Sequence, residues 1–354
     1  MNVRKWVRKE VLEQQAYAAD VINCQIKLDA NENPFALSPP LQAKLLERMK
    51  AVPLNRYPDA GAPLLRKRFA KYYGVNENML MIGNGSDELI QILCTALAGP
   101  VSDLLIPIPT FAMYRILGLN NGYHVREVPL DNAFDLNVKA IVEKISKKTM
   151  TLTFISYPNN PTGNCFSADR IETILDKSTG IVVVDEAYFN FSEKTFLPLL
   201  NRYENLVILR TLSKVGFAAM RIGFLIGPPE LITELDKVRL PYNLNTLSQI
   251  AAIFFLDHEE MFLNQIHEII REKKSLLEKL SNIKGIQPYP SDANFIFFSC
   301  TFDANNVYKQ ILRQGILIKP IKLPRSGQTC IRVTVGKCEE NEAFIQALKS
   351  VITK

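Results

Sequence analysis

Histidine is scarce in this chain. Three histidines occur among 354 residues, and they form no cluster. Because histidine is the commonest metal ligand in proteins, this scatter argues against a histidine-based metal site. The six cysteines show no CxxC spacing, and several stand in apolar runs that are typical of buried free thiols. We therefore expect no bound metal and a reducing compartment.

Long apolar segments are also missing. The amino terminus has no apolar signal segment and no long uncharged apolar stretch follows it, so we expect a cytoplasmic protein without membrane association. The net charge of +6 is mild and spread along the chain. Basic stretches such as Arg66-Lys67-Arg68 are typical of solvated helix faces, and we expect no nucleic acid partner.

What the sequence does contain is a regular alternation of apolar runs and helix-like stretches. Near-continuous apolar strands alternating with helices indicate an α/β fold, with a mostly parallel sheet covered on both faces. The strands predicted in this part are Asp103–Ile108, Thr151–Ser156, 181–184, 206–209 and Ile222–Ile226. The helices predicted with them include 41–49, Pro63–Tyr73, 86–98 with Ser86 as its N-cap, and Ala168–Lys177.

The carboxyl-terminal part of the chain has a different pattern. A chain of 354 residues exceeds the usual size of one hydrophobic core, so a second unit is expected. A long helical region at 246–282 precedes three apolar segments, at 294–298, 315–318 and 331–335. These predict a smaller α+β domain. The opening segment, to about residue 29, is expected to be an arm rather than a core element.

A lysine follows the apolar run at 206–209, in the motif Thr211-Leu212-Ser213-Lys214. An exposed lysine without a special role is the ordinary alternative. At the end of a buried strand, however, a lysine can form a Schiff base with an aldehyde if its surroundings favour the neutral amine. Ser213 and Arg221 add a hydroxyl and a guanidinium, which suit a phosphate ester.

An aspartate ends another apolar run, in the motif Val184-Asp185-Glu186-Ala187-Tyr188. Burying a carboxylate is costly unless it has a cationic partner. A protonated pyridine nitrogen is such a partner, and the pair keeps the ring an electron acceptor. Tyr188 is close enough in the chain to hydrogen-bond an oxygen on the same ring.

Two further motifs stand near the predicted ends of strands. Gly83-Asn84-Gly85-Ser86-Asp87 runs into a helix whose N-terminus could bind phosphate, although a simple helix cap is the commoner role. Tyr157-Pro158-Asn159-Asn160-Pro161-Thr162-Gly163 follows a predicted strand, and an ordinary turn is its alternative. Open α/β sheets bind their ligands at the carboxyl ends of strands, so the four motifs together predict one site.

In this order, the motifs resemble those of fold-type I enzymes that use pyridoxal 5′-phosphate (PLP), the aspartate aminotransferase superfamily. Within it, the chain is most similar to the histidinol-phosphate aminotransferase family. The resemblance covers nearly the whole chain, and the Asn-Glu-Asn-Pro at 31–34 and Arg-Tyr-Pro-Asp at 56–59 point most narrowly to that family. The other matching segments are 84–88, 109–114, 158–163, 185–188, 210–214, 241–245 and 331–336.

The resemblance implies an assignment for the cofactor site. PLP would be held as a covalent aldimine on Lys214, and Asp185 and Tyr188 would be the other catalytic residues. Asn160 and Tyr188 would donate to the ring oxygen O3′, and Phe111 would stack on the ring. The residues implied around the phosphate are Ser86, Asp87, Thr211, Ser213 and Arg221.

The same resemblance implies how the chain is organised. It predicts an N-terminal arm at 1–35 that joins the small domain and the dimer interface, a large PLP-binding domain at 36–245 and a small domain at 246–354. Tyr57 would reach the cofactor phosphate of the neighbouring subunit. The protein is therefore expected to be a homodimer with shared active sites.

Substrate binding is the part in which this sequence departs from its relatives. Arg332 would bind the anionic end of the substrate. Lys319 stands where many members have an arginine that helps to hold the substrate phosphate; a lysine keeps the charge but loses the bidentate fork. The loop from Lys214 to Arg221 also lacks a residue that some members have. The remaining candidates for this pocket are Tyr17, Asn33, Tyr242, Lys322 and Arg325.

The expected reaction is transamination of small molecules: L-histidinol phosphate and 2-oxoglutarate would give imidazole acetol phosphate and glutamate. Two alternatives share the scaffold, an aminotransferase for aromatic amino acids and a threonine-phosphate decarboxylase. A regulatory or structural protein that only binds PLP is a third. The complete catalytic set and the lack of an added DNA-binding segment argue against this last alternative.

Overall fold

The computed structural model describes residues 3–14, 22–99, 103–145, 150–324 and 326–352. Tyr17 and Arg325, both predicted near the substrate, lie outside these ranges. Within them the strands are β1 (Ile26–Lys27), β2 (Leu80–Asn84), β3 (Asp103–Ile108), β4 (His124–Pro129), β5 (Thr151–Ser156), β6 (Val182–Asp185), β7 (Leu206–Thr211), β8 (Ile222–Ile226), β9 (Ile286–Pro288), β10 (Phe295–Cys300), β11 (Ile316–Leu317), β12 (Lys319–Lys322) and β13 (Thr329–Thr334).

The largest sheet in the described ranges has seven strands, in the order β2-β8-β7-β6-β5-β3-β4. Strands β3 to β7 pair in parallel, whereas β8 is antiparallel to both of its neighbours, β7 and β2. Every residue of β5, β6, β7 and β8 is buried, as their apolar runs predict for central strands covered on both faces. The predicted α/β fold with a mostly parallel sheet is confirmed.

Helices cover this sheet and build the rest of the chain. They are α1 (Lys9–Leu12), α2 (Pro39–Lys50), α3 (Pro63–Tyr73), α4 (Ser86–Leu97), α5 (Ala112–Asn120), α6 (Val138–Lys144), α7 (Ala168–Lys177), α8 (Phe189–Ser192), α9 (Pro229–Asp236), α10 (Thr246–Asp257), α11 (Glu259–Ser281), α12 (Ala304–Arg313) and α13 (Cys338–Ile352). The bounds predicted for α3 and α7 agree with the structure.

The long helical region predicted at 246–282 is two helices, because the backbone leaves the helical conformation at His258. Asp257, the last residue of α10, accepts hydrogen bonds from Arg48 and Arg68, each at 2.6 Å. These contacts fasten the end of α10 to α2 and α3 of the first unit. Nothing in the apolar pattern of the sequence marks this break.

A second sheet, antiparallel in the order β12-β13-β10-β9, forms the smaller unit that the sequence predicts. Buried apolar side chains run without interruption between the two units, and Val184 of β6, Phe262 of α11 and Phe295 of β10 belong to one cluster. The opening segment is less separate than expected, because Leu28 is buried and β1 pairs with β11. The domain bounds at residues 35 and 245 stay predictions.

None of the helices in the described ranges is long and apolar enough to cross a membrane. The six cysteines are free thiols. Over the same part of the chain, no group of three or more histidine, cysteine, aspartate or glutamate side chains is arranged to hold a metal ion.

Candidate active site

The ends of neighbouring strands bring the predicted functional residues to one edge of the seven-stranded sheet. Asp185 is the last residue of β6, and Thr211 is the last residue of β7. Asn160 follows β5, and Phe111 follows β3. Because β8 is antiparallel to β7, its amino end, which Arg221 precedes, lies at this same edge. A parallel sheet commonly binds its ligand at this place.

Asp185 is almost completely buried, with 3% of its surface exposed. The hydroxyl of Tyr114 donates a hydrogen bond to Oδ2 at 2.6 Å, and the backbone N–H of Ala187 donates to Oδ1 at 3.0 Å. Burial raises the pKa of Asp185 to about 6, although both hydrogen bonds act in the opposite direction. A cationic N–H placed against this carboxylate would lower the pKa of Asp185 toward its ordinary value.

Lys214 lies in a short irregular turn, Ser213–Phe217, that follows β7. Its Nζ donates to the backbone oxygen of Ala30 at 3.4 Å and lies 5.9 Å from the centre of the Tyr188 ring. Burial, together with the positive charge of Arg332, lowers the pKa of Lys214 to about 8. The surroundings therefore shift Lys214 toward the neutral amine, the form that attacks an aldehyde.

Arg332 connects the small sheet to the large one. It stands on β13, and its Nη1 donates to Oδ1 of Asn160 at 2.6 Å. Its Nη2 donates to the backbone oxygen of Asp29. The guanidinium is thus held between the loop that follows β5 and the segment that precedes α2. Asn160 keeps its amide N–H₂ for another acceptor, because its oxygen is the atom that meets Arg332.

A group of polar side chains surrounds the N-terminus of α4. Arg221 donates from Nη2 to Oδ2 of Asp87 at 3.0 Å and from Nη1 to Oγ of Ser213 at 3.2 Å. The hydroxyl oxygens of Thr211 and Ser213 lie 2.9 Å apart and share a hydrogen bond. One guanidinium, two hydroxyls and the free N–H groups of a helix terminus therefore converge, as in many phosphate sites.

Ser86 is the first residue of α4, and Gly85 occupies the capping position, so the prediction that Ser86 is the N-cap is wrong. Gly85 has a φ of +83°, and a Cβ there would stand 2.5 Å from Nη2 of Arg221. A Cβ at Gly223 of β8 would stand 2.5 Å from Ser86 N. Glycine at position 85 lets the backbone approach Arg221 closely, and glycine at position 223 lets β8 approach the backbone of Gly85 and Ser86.

Lys319 and Arg332 are direct partners across the antiparallel pair β12–β13. Side chains at such paired positions project from the same face of a sheet and lie close together. The two cations predicted to bind the substrate are therefore neighbours. Lys322 lies at the other end of β12, opposite Thr329.

Three other predicted residues have different surroundings. Asn33 donates from Nδ2 to Oε1 of Gln265 on α11 at 3.1 Å. Tyr57 is 80% exposed and stacks on Tyr242, with the ring centres 4.6 Å apart. Neither of these two contacts involves Lys214 or Arg332. The predicted roles of Asn33, Tyr57 and Tyr242 stay predictions.

Sequence reasoning missed two residues of the site. Tyr114 contacts Asp185, and its ring lies edge-on to Phe111, with 5.5 Å between the centres. Asn31 donates from Nδ2 to the hydroxyl oxygen of Tyr188 at 2.9 Å. A signal for Tyr114 existed, because it stands one helical turn after Phe111 on an apolar helix face. For Asn31 no local signal separated it from Asn33.

The arrangement fits PLP group by group. A buried carboxylate suits a protonated pyridine nitrogen, and the cluster around Arg221 suits the phosphate ester. A lysine of lowered pKa suits the aldehyde. Glycine at position 85, where a Cβ would collide with Arg221, lets that guanidinium lie against the N-terminus of α4, a position suited to a phosphate. This fold and this site define a PLP-dependent transferase of fold type I.

The chain belongs to the aminotransferase class I and II family, which matches residues 23–348, and it is a PLP-dependent aminotransferase. It is 44% identical over 356 residues to histidinol-phosphate aminotransferase 2 of Nitrosococcus oceani, covering 99% of this chain and 98% of that protein. The recognition made from the sequence motifs is thereby confirmed at the level of the family.

Solved structures agree with the fold. The crystal structure of histidinol-phosphate aminotransferase from Sinorhizobium meliloti in complex with pyridoxal-5′-phosphate has a TM-score of 0.89 at 20% identity, over 98% of this chain and 97% of that one. L-threonine-O-3-phosphate decarboxylase from Porphyromonas gingivalis has a TM-score of 0.80 at 22% identity, over 93% of this chain and all of that one (100%). The fold is therefore common to both chemistries and does not separate them.

The contact between Tyr114 and Asp185 predicts a pH-dependent effect on stability in the PLP-free protein. The folded-state pKa of Asp185 is raised from 3.8 to about 6, so the stability that it contributes is present below pH 3.8 and is lost as the pH rises through about 6. Tyr114→Phe removes a hydrogen bond to the carboxylate. Without that bond the pKa of Asp185 should rise further. The loss of folding stability should therefore be larger and should continue to higher pH.

We expect the unfolding free energy of Tyr114→Phe to fall below that of the parent by about 1–3 kcal/mol at pH 8, and by less at pH 5. Chemical denaturation at both pH values measures this difference. Tyr123→Phe is the matched control, because Tyr123 is buried and its hydroxyl has no hydrogen-bond partner among the described residues. An equal deficit for Tyr114→Phe at pH 5 and pH 8 would contradict the assignment.

Proposed function

We propose that this enzyme transfers the amino group of L-histidinol phosphate to 2-oxoglutarate, giving imidazole acetol phosphate and glutamate. The observation that carries the proposal is the full-length relative that is 44% identical and named histidinol-phosphate aminotransferase 2. The neighbouring cations Lys319 and Arg332 support it, because a phosphorylated substrate and a dicarboxylic one both need positive charge. We also propose a cytoplasmic location.

We propose that the residues act as follows. Bound PLP would supply an electron-accepting ring next to the substrate's α-carbon. Asp185 holds the ring nitrogen protonated, and Asn160 and Tyr188 donate to O3′. Ser86, Asp87, Thr211, Ser213 and Arg221 bind the phosphate, and Phe111 covers the ring. The resemblance to the family implies these assignments, and the contacts of Asp185, Asn160, Ser213 and Arg221 support them.

Lys214 has two parts in this proposal, the attachment of the cofactor and the movement of a proton. With a pKa lowered to about 8, its Nζ is available as a neutral amine and can take the proton from the substrate's α-carbon. Asn160 and the Asp29 carbonyl hold the Arg332 guanidinium in one orientation, so an anion bound there positions the α-carbon. The same arginine must accept different anions in the two half-reactions.

We propose a homodimer in which Tyr57 reaches the phosphate of the neighbouring subunit. Tyr57 is 80% exposed, and two further apolar side chains near it and near Tyr242 in sequence, Leu54 and Leu240, are 84% and 71% exposed. A stacked pair of exposed tyrosines, with exposed leucines nearby in sequence, is typical of an interface. The domain division at 1–35, 36–245 and 246–354 is part of the same proposal.

The role of Lys214 predicts where PLP is attached. Borohydride reduction of the PLP-loaded protein, followed by peptide mass analysis, should find the pyridoxyl group on Lys214. Lys214→Ala should lose this label, and its turnover should fall by more than about 10³-fold because both the Schiff base and the proton acceptor are gone.

Lys273→Met is the matched control for this experiment. Lys273 is also buried, and burial likewise lowers its pKa to about 8, but its Nζ donates to the backbone oxygen of Ala293 at 2.7 Å. A low pKa alone therefore does not distinguish the two lysines. Label recovered from Lys273, or turnover retained in Lys214→Ala, would refute the assignment.

The substrate proposal predicts an order of specificity constants. With 2-oxoglutarate as acceptor, kcat/KM for L-histidinol phosphate should exceed that for phenylalanine by at least about 10-fold, because phenylalanine has no phosphate to pair with the two cations. Threonine phosphate should release no CO₂. Comparable turnover of phenylalanine would favour the aromatic aminotransferase, and CO₂ release without 2-oxoglutarate would favour the decarboxylase.

The dimer proposal predicts that a variant which dissociates into monomers also binds PLP more weakly. The protein should have a molar mass in solution about twice the 40.1 kDa of the chain. Leu240→Arg should lower this mass and weaken PLP binding together, because a charge would be buried in the interface. Phe302→Arg, at a 40% exposed position in the smaller unit, should change neither. A Leu240→Arg protein that remains dimeric would contradict the assigned interface.

A further inference from the structure

Asn31 is a buried residue that contacts Tyr188 from outside the large sheet. It is 1% exposed, and its Nδ2 donates to the hydroxyl oxygen of Tyr188 at 2.9 Å. Tyr188 itself is 4% exposed, so water does not compete freely for that oxygen. Asn31 belongs to the N-terminal segment, whereas Tyr188 follows β6. The contact therefore joins two distant parts of the chain.

The orientation of the Asn31 amide is fixed by Thr334. The backbone N–H of Asn31 donates to Oγ1 of Thr334 at 2.9 Å, and that hydroxyl donates to Oδ1 of Asn31 at 3.2 Å. With Oδ1 used as an acceptor, Nδ2 is the atom left to meet Tyr188. Asn294 adds a further anchor, donating from Nδ2 to the backbone oxygen of Asn31 at 3.0 Å.

The backbone of Asn31 is in the left-handed region, with a φ of +56°. Asparagine tolerates this conformation better than most residues. The side chain and the backbone are thus both held in one arrangement. This rigidity suits a group whose task is to fix the direction of another side chain.

The consequence concerns the single proton of the Tyr188 hydroxyl. A phenol oxygen has one proton to donate and can accept as well. Because Asn31 supplies a donor, the oxygen of Tyr188 acts as the acceptor in this contact, and its own proton remains for a different partner. The donation from Asn31 also favours the phenolate and so opposes the rise in the Tyr188 pKa that burial causes. Tyr188 thereby becomes a stronger hydrogen-bond donor.

We propose that Asn31 is a positioning residue that directs the Tyr188 proton toward O3′ of bound PLP. Through Thr334, it ties this donor to β13, the strand that also carries Arg332. The proposal rests on the role proposed above for Tyr188. It adds a residue of the N-terminal segment to the groups that set the electronic state of the cofactor.

The test is a pH titration of the visible absorbance of the PLP-loaded protein. Donation to O3′ stabilises the deprotonated form of the chromophore, in which that oxygen bears its full negative charge, and so lowers the apparent pKa. Asn31→Gly deletes the amide while keeping the left-handed backbone. We expect the apparent pKa to rise by about 0.5, and the dissociation constant of PLP to rise about 5-fold.

Two further variants make the test specific. Asn31→Asp keeps the size of the side chain but replaces the donor by an acceptor, so the Tyr188 proton should turn away from O3′ and the pKa rise should be at least as large. Gln265→Ala is the matched control. It removes the neighbouring amide contact, with Asn33 at 3.1 Å, without touching Tyr188, and should leave the absorbance titration unchanged.

A double-mutant cycle with Tyr188→Phe decides whether Asn31 acts through the phenol. Support for the proposal is a shift by Asn31→Gly that disappears in the Tyr188→Phe background. An equal shift in both backgrounds, or none in either, overturns it. If Tyr188→Phe shifts the titration but Asn31→Gly does not, only the role of Asn31 fails. If Tyr188→Phe itself has no effect, the proposed role of Tyr188 fails as well.

Discussion

The buried ion pair between Glu186 and Arg210 fastens the two strands on which the site depends. Glu186 directly follows Asp185, and Arg210 directly precedes Thr211, so the pair links the ends of β6 and β7. Arg210 donates to Oε2 of Glu186 from Nε at 3.0 Å and from Nη2 at 2.8 Å. Both residues are almost fully buried, with 1% and 4% of their surfaces exposed. Such a pair is expensive to break, because either charge alone would be buried without a partner.

The surroundings of this pair leave it little freedom. The hydroxyl of Thr195 and the backbone N–H of Phe196 also donate to Glu186. The Arg210 guanidinium lies 3.8 Å from the centre of the Phe189 ring, and Tyr73 covers it as well. Since the pair fixes the relative height of the two strand ends, the separation between Asp185 and the hydroxyls of Thr211 and Ser213 is fixed with it. A rigid cofactor requires such a constant separation.

Much of this arrangement could be predicted from the sequence, because its causes are local. The strand that ends at Asp185 and the one that precedes Lys214 follow from apolar runs, and parallel strands bring their carboxyl ends together. The break at His258 could not be predicted, since arginines distant in the chain hold the end of α10. Asn31 was missed for a similar reason, because its contact with Tyr188 is made only after folding. Tyr114 had a local signal, its place one helical turn after Phe111, but its contact with Asp185 also forms only in the folded chain.

The proposed choice of substrate rests on a different physical property, the unlike geometry of two neighbouring cations. A decarboxylase and an aminotransferase share this scaffold, so the fold does not decide which bond at the α-carbon is broken. Arg332 is held by the oxygens of Asn160 and Asp29 and offers an anion one rigid position. Lys319, paired with it across β12 and β13, has a flexible stem and a compact charge. An arginine and a lysine side by side suit the proposed reaction, in which a phosphate is bound in one half-reaction and a carboxylate in the other.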